Sequence, residues 1–106
     1  MESLRLNLTV VQPNGVLNAA NAPALQAHLS EQISSDTSAG LMIDMSRVES
    51  LDSAGLVSLV STLRLARNLS KRFCLCSVSP SIRIVFELAQ LDQVFEFVEE
   101  MSVQAA

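Results

Sequence analysis

The chain has no Trp and no Tyr, a single His, three Gly and three Pro, and each scarcity closes off a class of protein. With Gly and Pro this rare, collagen-like and low-complexity chains are excluded. A hydrophobic content of 49% is also too high for intrinsic disorder. Without Trp or Tyr, and with a net charge of −4, the chain lacks the stacking platforms and positive field of a general single-strand binder, so no nucleic-acid partner is expected. His28 has no second histidine to complete a metal site, so no metal is expected. No apolar run approaches the ~18 residues of a membrane span, so no direct membrane insertion is expected. The opening MESLRLNLTVVQP has no basic stretch followed by an apolar block and cleavage site, which makes a cytoplasmic location the default.

Cys74 and Cys76 are one residue apart, a spacing of neither a CxxC redox motif nor a zinc knuckle. In an extended FCLCSV segment both point to the same face, as small hydrophobes would.

What is present is periodicity. Leu4, Leu6, Leu8 and Val10 alternate with polar residues, as in a strand with one buried face. Pro13-Asn14-Gly15 reads as a tight turn and Val16 to Ala19 as a short partner strand, which predicts an opening antiparallel hairpin. Asn21 is the predicted N-cap of a helix with Pro23 in its first turn and an apolar stripe of Leu25, Leu29 and Ile33. Residues 34–40, SSDTSAG, read as a loop, and Leu41-Met42-Ile43 as a central strand ending in Asp44. Met45 to Leu51 is read as a linker. Leu56, Leu59, Val60 and Leu63 then predict a helix running to about Asn68, with Asp52 or Ser53 as its N-cap. Arg72 to Val78 reads as a strand, Ser79-Pro80 as the start of a helix with an inner face of Ile82, Val85, Phe86 and Ala89, and Val94 to Val98 as a last strand.

The predicted order is therefore β-β-α-β-α-β-α-β, an α/β fold of one domain. Its mixed, mostly parallel sheet has about five strands, with helices packed on it. The core is expected at about 4–98, with a short tail at 99–106.

In open α/β sheets, function gathers where strand C-termini meet helix N-termini. That rule selects Asp44, Asp52 and Ser53. Ser53 stands where helix N–H groups favour an anion by about 0.3–1 kcal/mol, whereas a cap alone is worth about 1 kcal/mol to folding. The sequence has no G-x-S-x-G elbow and no Gly-Lys of a phosphate loop, and its one candidate base, His28, is on another helix. No catalytic residue, enzyme activity or cofactor is expected. Charge is also segregated: Arg64, Arg67, Lys71, Arg72 and Arg83 occur with no acid between Ser53 and Phe86, and Glu87, Asp92, Glu96, Glu99 and Glu100 follow with no base. Such segregation suits either a polar protein-binding face or an ordinary charged surface.

Asp52-Ser53-Ala54-Gly55-Leu56 opening an amphipathic helix, an apolar strand ending in Asp44, Ser79-Pro80, Phe86-Glu87-Leu88 and Leu91-Asp92-Gln93-Val94-Phe95 together resemble the STAS domain of bacterial anti-sigma factor antagonists. The resemblance covers nearly the whole chain. It implies a partner-switching regulator that binds an anti-sigma factor, itself a serine kinase, with a serine phosphatase resetting the switch; a dimer is left open. It places the phosphoacceptor at Ser53, because Ala54 stands where well-known members carry a second hydroxyl. It places partner contacts at Asn18 and Asn21, with Asn18 where many members have Asp, at Asp44, and at Asp52, Ser53, Ala54, Gly55, Leu56 and Ser58. The alternative it leaves is a constitutive STAS adaptor subunit, for example of a lipid-transport ABC system.

Overall fold

The computed structural model describes residues 8–98; the beginning of the first expected strand, Leu4 to Asn7, and the expected tail lie outside them. The elements run β1 (Leu8–Val11), β2 (Gly15–Leu17), α1 (Ala22–Ser34), β3 (Gly40–Asp44), β4 (Val48–Leu51), α2 (Ser53–Asn68), β5 (Arg72–Cys76), α3 (Pro80–Leu88) and β6 (Glu96–Val98). This is the expected α/β alternation with one strand more. Among the described residues no helix is long and apolar enough to cross a membrane.

The strands form a four-stranded sheet in the order β1-β3-β5-β6 and a separate pair, β2-β4, and all four pairings are parallel. The expected opening hairpin is therefore not formed. β1 pairs with β3 and β2 with β4, so the intervening turn moves the chain from one sheet to the other instead of folding it back on itself. Gly15, at φ +79°, supplies the left-handed residue of that turn, and the β2-β4 register slips between Gly15 and Val16. Met45 to Leu51 is likewise more than a linker, because Val48–Leu51 is the partner that β2 requires.

β3 and β5 are central because they are apolar on both faces. Phe73, Cys74, Leu75 and Cys76 are all buried, and by strand alternation Phe73 and Leu75 face opposite to the two thiols. Phe73 and Leu75 join a core with Leu29 and Ile33 of α1, Leu41 and Ile43 of β3, Leu59 and Leu63 of α2, and Ile82 and Phe86 of α3. Burial pushes the Cys74 thiol up to about 11, so it is protonated at neutral pH and behaves as a small apolar group.

The basic middle of the chain is spent largely within the molecule. Lys71 Nζ donates to Ile33 O (2.8 Å) and Ser35 O (2.6 Å), covering the C-terminal carbonyls of α1, a helix with no basic residue in its own last turn. Arg72 makes a two-pronged ion pair with Glu96 across the β5-β6 ladder. Arg67 Nη2 donates to Val94 O at 3.1 Å, and the Arg83 guanidinium lies 4.1 Å from the Phe97 ring centroid. The four phenylalanines follow one another in the chain Phe73–Phe95–Phe86–Phe97: Phe86 is edge-on to Phe95 (5.2 Å) and Phe97 (5.4 Å), and Phe73 lies 6.2 Å from Phe95.

Candidate functional site

Leu17 and Leu51 are paired neighbours at the C-terminal ends of β2 and β4. Each strand passes directly into a polar turn and then a helix, α1 after Asn18–Asn21 and α2 after Asp52. The strand pair thus sets two helix starts side by side, and the Asp52 N–H continues the ladder by donating to Leu17 O at 3.1 Å.

The two turns close differently. Asn21 occupies the N-cap position of α1 as predicted, but its side chain makes no cap hydrogen bond. Its Oδ1 accepts from the Asn18 N–H (3.0 Å) and its Nδ2 donates to Val16 O (2.7 Å), while Asn18 Oδ1 accepts from the Ala20 N–H (2.9 Å). Both amides therefore lock the loop rather than the helix. At α2, Asp52 is the cap, its Oδ1 accepting from the Gly55 N–H at 3.0 Å. That leaves Ser53 as the first helical residue, exposed, with no hydrogen bond to its hydroxyl among the described residues.

Gly55 is what lets the first turn of α2 sit against the strand ends. A Cβ there would lie 2.7 Å from Leu17 O and 2.8 Å from Leu51 Cδ1, closer than atoms pack. Ser58 is 1% exposed and donates to Gly55 O at 2.6 Å, and Thr62 repeats the device by donating to Ser58 O at 2.9 Å. Leu56 and Ser58, expected on the docking surface, are thus inside, and with Gly55 they shape the corner rather than present themselves. Ala54 is half-buried beside Ser53.

The structure does not bring Asp44 to this corner. Its carboxylate accepts from the Gln12 side chain (2.9 Å) and the Ser46 N–H (3.0 Å), tying the β1–β2 turn to the β3–β4 turn at the opposite end of β4. Partial burial pushes this carboxyl up, but the hydrogen bonds from Ser46 and Gln12 and the charge of Arg47 outweigh it and hold Asp44 below the usual value.

Two residues of the surface were missed in the sequence. Val57, 58% exposed, lies one turn beyond Ser53 on the same helix face, and Val16, 43% exposed, stands on β2 beside Leu17. Val57 falls outside the stripe of Leu56, Leu59 and Leu63, and an apolar residue off the buried stripe is the signal that finds it. The corner therefore offers a free hydroxyl, two exposed valines and a rigid amide loop.

Among the described residues no side chain is hydrogen-bonded to the Ser53 hydroxyl, and the neighbouring Asp52 turns one carboxylate oxygen to the Gly55 N–H. His28 is exposed on α1, and no three His, Cys, Asp or Glu side chains among the described residues could share a metal ion. Such a corner suits a group that is bound and modified by another protein better than one that reacts alone.

Comparison with known proteins agrees with the fold. A family model described as the STAS domain matches residues 4–105. BtrV of Bordetella bronchiseptica, named as an anti-sigma factor antagonist, is 29% identical over 92 residues, which cover 87% of this chain and 78% of that protein. The crystal structure of an anti-sigma factor antagonist from Mycobacterium paratuberculosis is similar with 30% identity and a TM-score of 0.75, covering 86% of this chain and 76% of that one. SpoIIAA has been solved in its unphosphorylated form (20% identity, TM-score 0.69, 91% and 83% of the two chains) and, from Bacillus, in its phosphorylated form (21%, 0.70, 91% and 85%). These last two likenesses are of fold.

Proposed function

This chain belongs to the STAS domain family, and from that premise we propose that it is an anti-sigma factor antagonist-like regulator. It acts by binding an anti-sigma factor with serine kinase activity and is switched by phosphorylation at Ser53. The observation that carries the reading is the exposure of Ser53 at the first position of α2, its hydroxyl without a hydrogen bond among the described residues and Val57 exposed one turn further along the same helix. In this reading the chain is a ligand and substrate, not an enzyme, and it works in the cytoplasm where the kinase has ATP.

The unmodified corner docks through Val16 and Val57 with Asn18, Asn21, Asp52 and Ser53 around them. The kinase transfers the γ-phosphoryl group of its ATP to Ser53 Oγ. ADP leaves, and the hydroxyl proton passes to a base on the kinase. The product adds about −1.5 to −2 charges next to Asp52. Burying such charge unpaired at an interface costs several kcal/mol, against about 0.3–1 kcal/mol from the helix field, which acts equally in the free protein. Since ~1.4 kcal/mol is tenfold in affinity, the complex separates. No refolding is required, and the equal likeness of this chain to the two forms of SpoIIAA supports that. A phosphatase restores the hydroxyl.

Ala54 favours one second reading, a constitutive STAS adaptor in which Ser53 only makes an interface hydrogen bond. Capture from native lysate on wild-type, Ser53→Ala and Ser53→Asp baits separates the two. The switch requires a histidine-kinase-like ATPase held by wild type and Ser53→Ala and lost from Ser53→Asp, with phosphate mapping to Ser53 after incubation with ATP. An ABC-type ATPase held equally by all three baits would support the adaptor instead.

A further inference from the structure

A cleft of about 360 Å³ is lined by Ser77, Val78, Arg83, Phe97 and Val98. It shares no residue with the Asp52 corner. It opens just beyond the last paired residues of β5 and β6, Cys76 and Val98, where the chain leaves β5 for α3. In open α/β sheets this is the position, outside strand C-termini, at which small ligands bind. The volume falls at the low end of ligand pockets, the size of a small metabolite.

The lining has a definite chemistry. Arg83 stacks on Phe97 and has no carboxylate partner among the described residues, whose one ion pair is Arg72–Glu96. The guanidinium rests on the ring, and among the described residues its N–H edge has no hydrogen-bond partner, the arrangement that grips a carboxylate or phosphate through two parallel hydrogen bonds. Ser77 adds a hydroxyl, and its φ of +57° turns the chain abruptly out of β5 at the cleft. Val78, Phe97 and Val98 supply the smaller, apolar share of a mainly polar lining. The N-terminus of α3, where Ser79 caps the Ile82 N–H, lies on the same loop and contributes a field of the matching sign.

From this combination we infer that the cleft is a binding site for a small organic anion, a carboxylate or phosphate monoester on a flat or compact apolar body. Arg83 holds the charged group and the Phe97 and valine walls hold the body.

Titration of the 15N-labelled full chain with phenyl phosphate, benzoate and inorganic phosphate, read by amide and Arg Nε shifts, tests it. Saturable shifts confined to Ser77–Ser81, Arg83 and Phe97–Val98 are expected, with at least one ring-bearing probe binding about tenfold or more tighter than inorganic phosphate. Arg83→Gln should weaken that binding at least about tenfold. Arg83→Lys, which keeps the charge but loses the planar fork, should weaken it comparably, and it decides the matter if the first variant fails to give a folded spectrum. Absence of saturable shifts, shifts centred on Asp52–Ser53, shifts unmoved by either substitution, or inorganic phosphate binding as well as the ring-bearing probes would each overturn the inference.

Discussion

Two regions of this domain handle polar and apolar surface in opposite ways. Around the phenylalanines, Arg67, Arg72 and Arg83 are met by Val94 O, Glu96 and Phe97, and the rings follow one another in the chain Phe73–Phe95–Phe86–Phe97. At the β2–β4 corner the backbone is satisfied by Asn18, Asn21 and Asp52, while the Ser53 hydroxyl and the apolar surfaces of Val16 and Val57 are left outward. One region holds the fold closed and the other is tied down in its backbone but open toward solvent. A rigid, exposed surface loses little freedom on docking, which is what a binding corner requires.

If that division is right, stability and binding should separate by region. Phe86→Ala should produce the largest loss, about 3–5 kcal/mol in chemical denaturation, because a fully buried ring with two edge-on partners leaves a cavity. Folded Phe86→Ala protein should still bind the partner with wild-type affinity. Gly55→Ala should cost about 1–3 kcal/mol as the new Cβ meets Leu17 O and Leu51, and it should also weaken binding, since the first turn of α2 is displaced. A variant with a normal melting temperature and affinity would remove the close-approach explanation. Asp52→Ala should cost about 1 kcal/mol by removing the cap, seen as faster amide exchange in the first turn of α2. Smallest is Glu96→Gln: the Arg72–Glu96 pair is half exposed and screened, so thermal melts should shift by no more than ~1 kcal/mol and less in high salt.

Asp44 offers a pH check on the loop-tying role that it has instead of a place at the corner. Its carboxyl is held below the usual value, so its contribution is present above the unfolded value of about 3.8–3.9 and is lost as pH falls through the lowered folded value. Asp44→Asn should therefore flatten the acid side of the stability profile below about pH 4, and an unchanged profile would contradict that role.

Much of this organisation was legible in the residues. The three helices announced themselves through Pro23, Asp52 and Ser79-Pro80 and through stripes at helical spacing, because caps and periodicity are local properties. β3 and β5 were legible as apolar runs. The opening hairpin was misread because Pro13-Asn14-Gly15 describes a turn but not where the next strand goes, and the partner of β2 lies more than thirty residues on, at Val48–Leu51. β4 itself was hidden because only Val48 and Leu51 are buried, an interval of three that shows no strand alternation. At the site, Ser53 and Asp52 could be read from their place before a helix. The burial of Ser58, the loop-locking of Asn21 and the exposure of Val16 depend on packing between segments distant in sequence, and no local pattern carries them.

The central claim is that charge at Ser53 breaks a complex made by an otherwise unchanged surface. The most direct measurement is calorimetric titration of the captured partner against the unmodified domain and against the same domain phosphorylated at Ser53. An affinity at least about tenfold weaker for the phosphorylated form, corresponding to ~1.4 kcal/mol or more with the amide spectrum away from α2 unchanged, is the predicted result. Equal affinities for the two forms would contradict it.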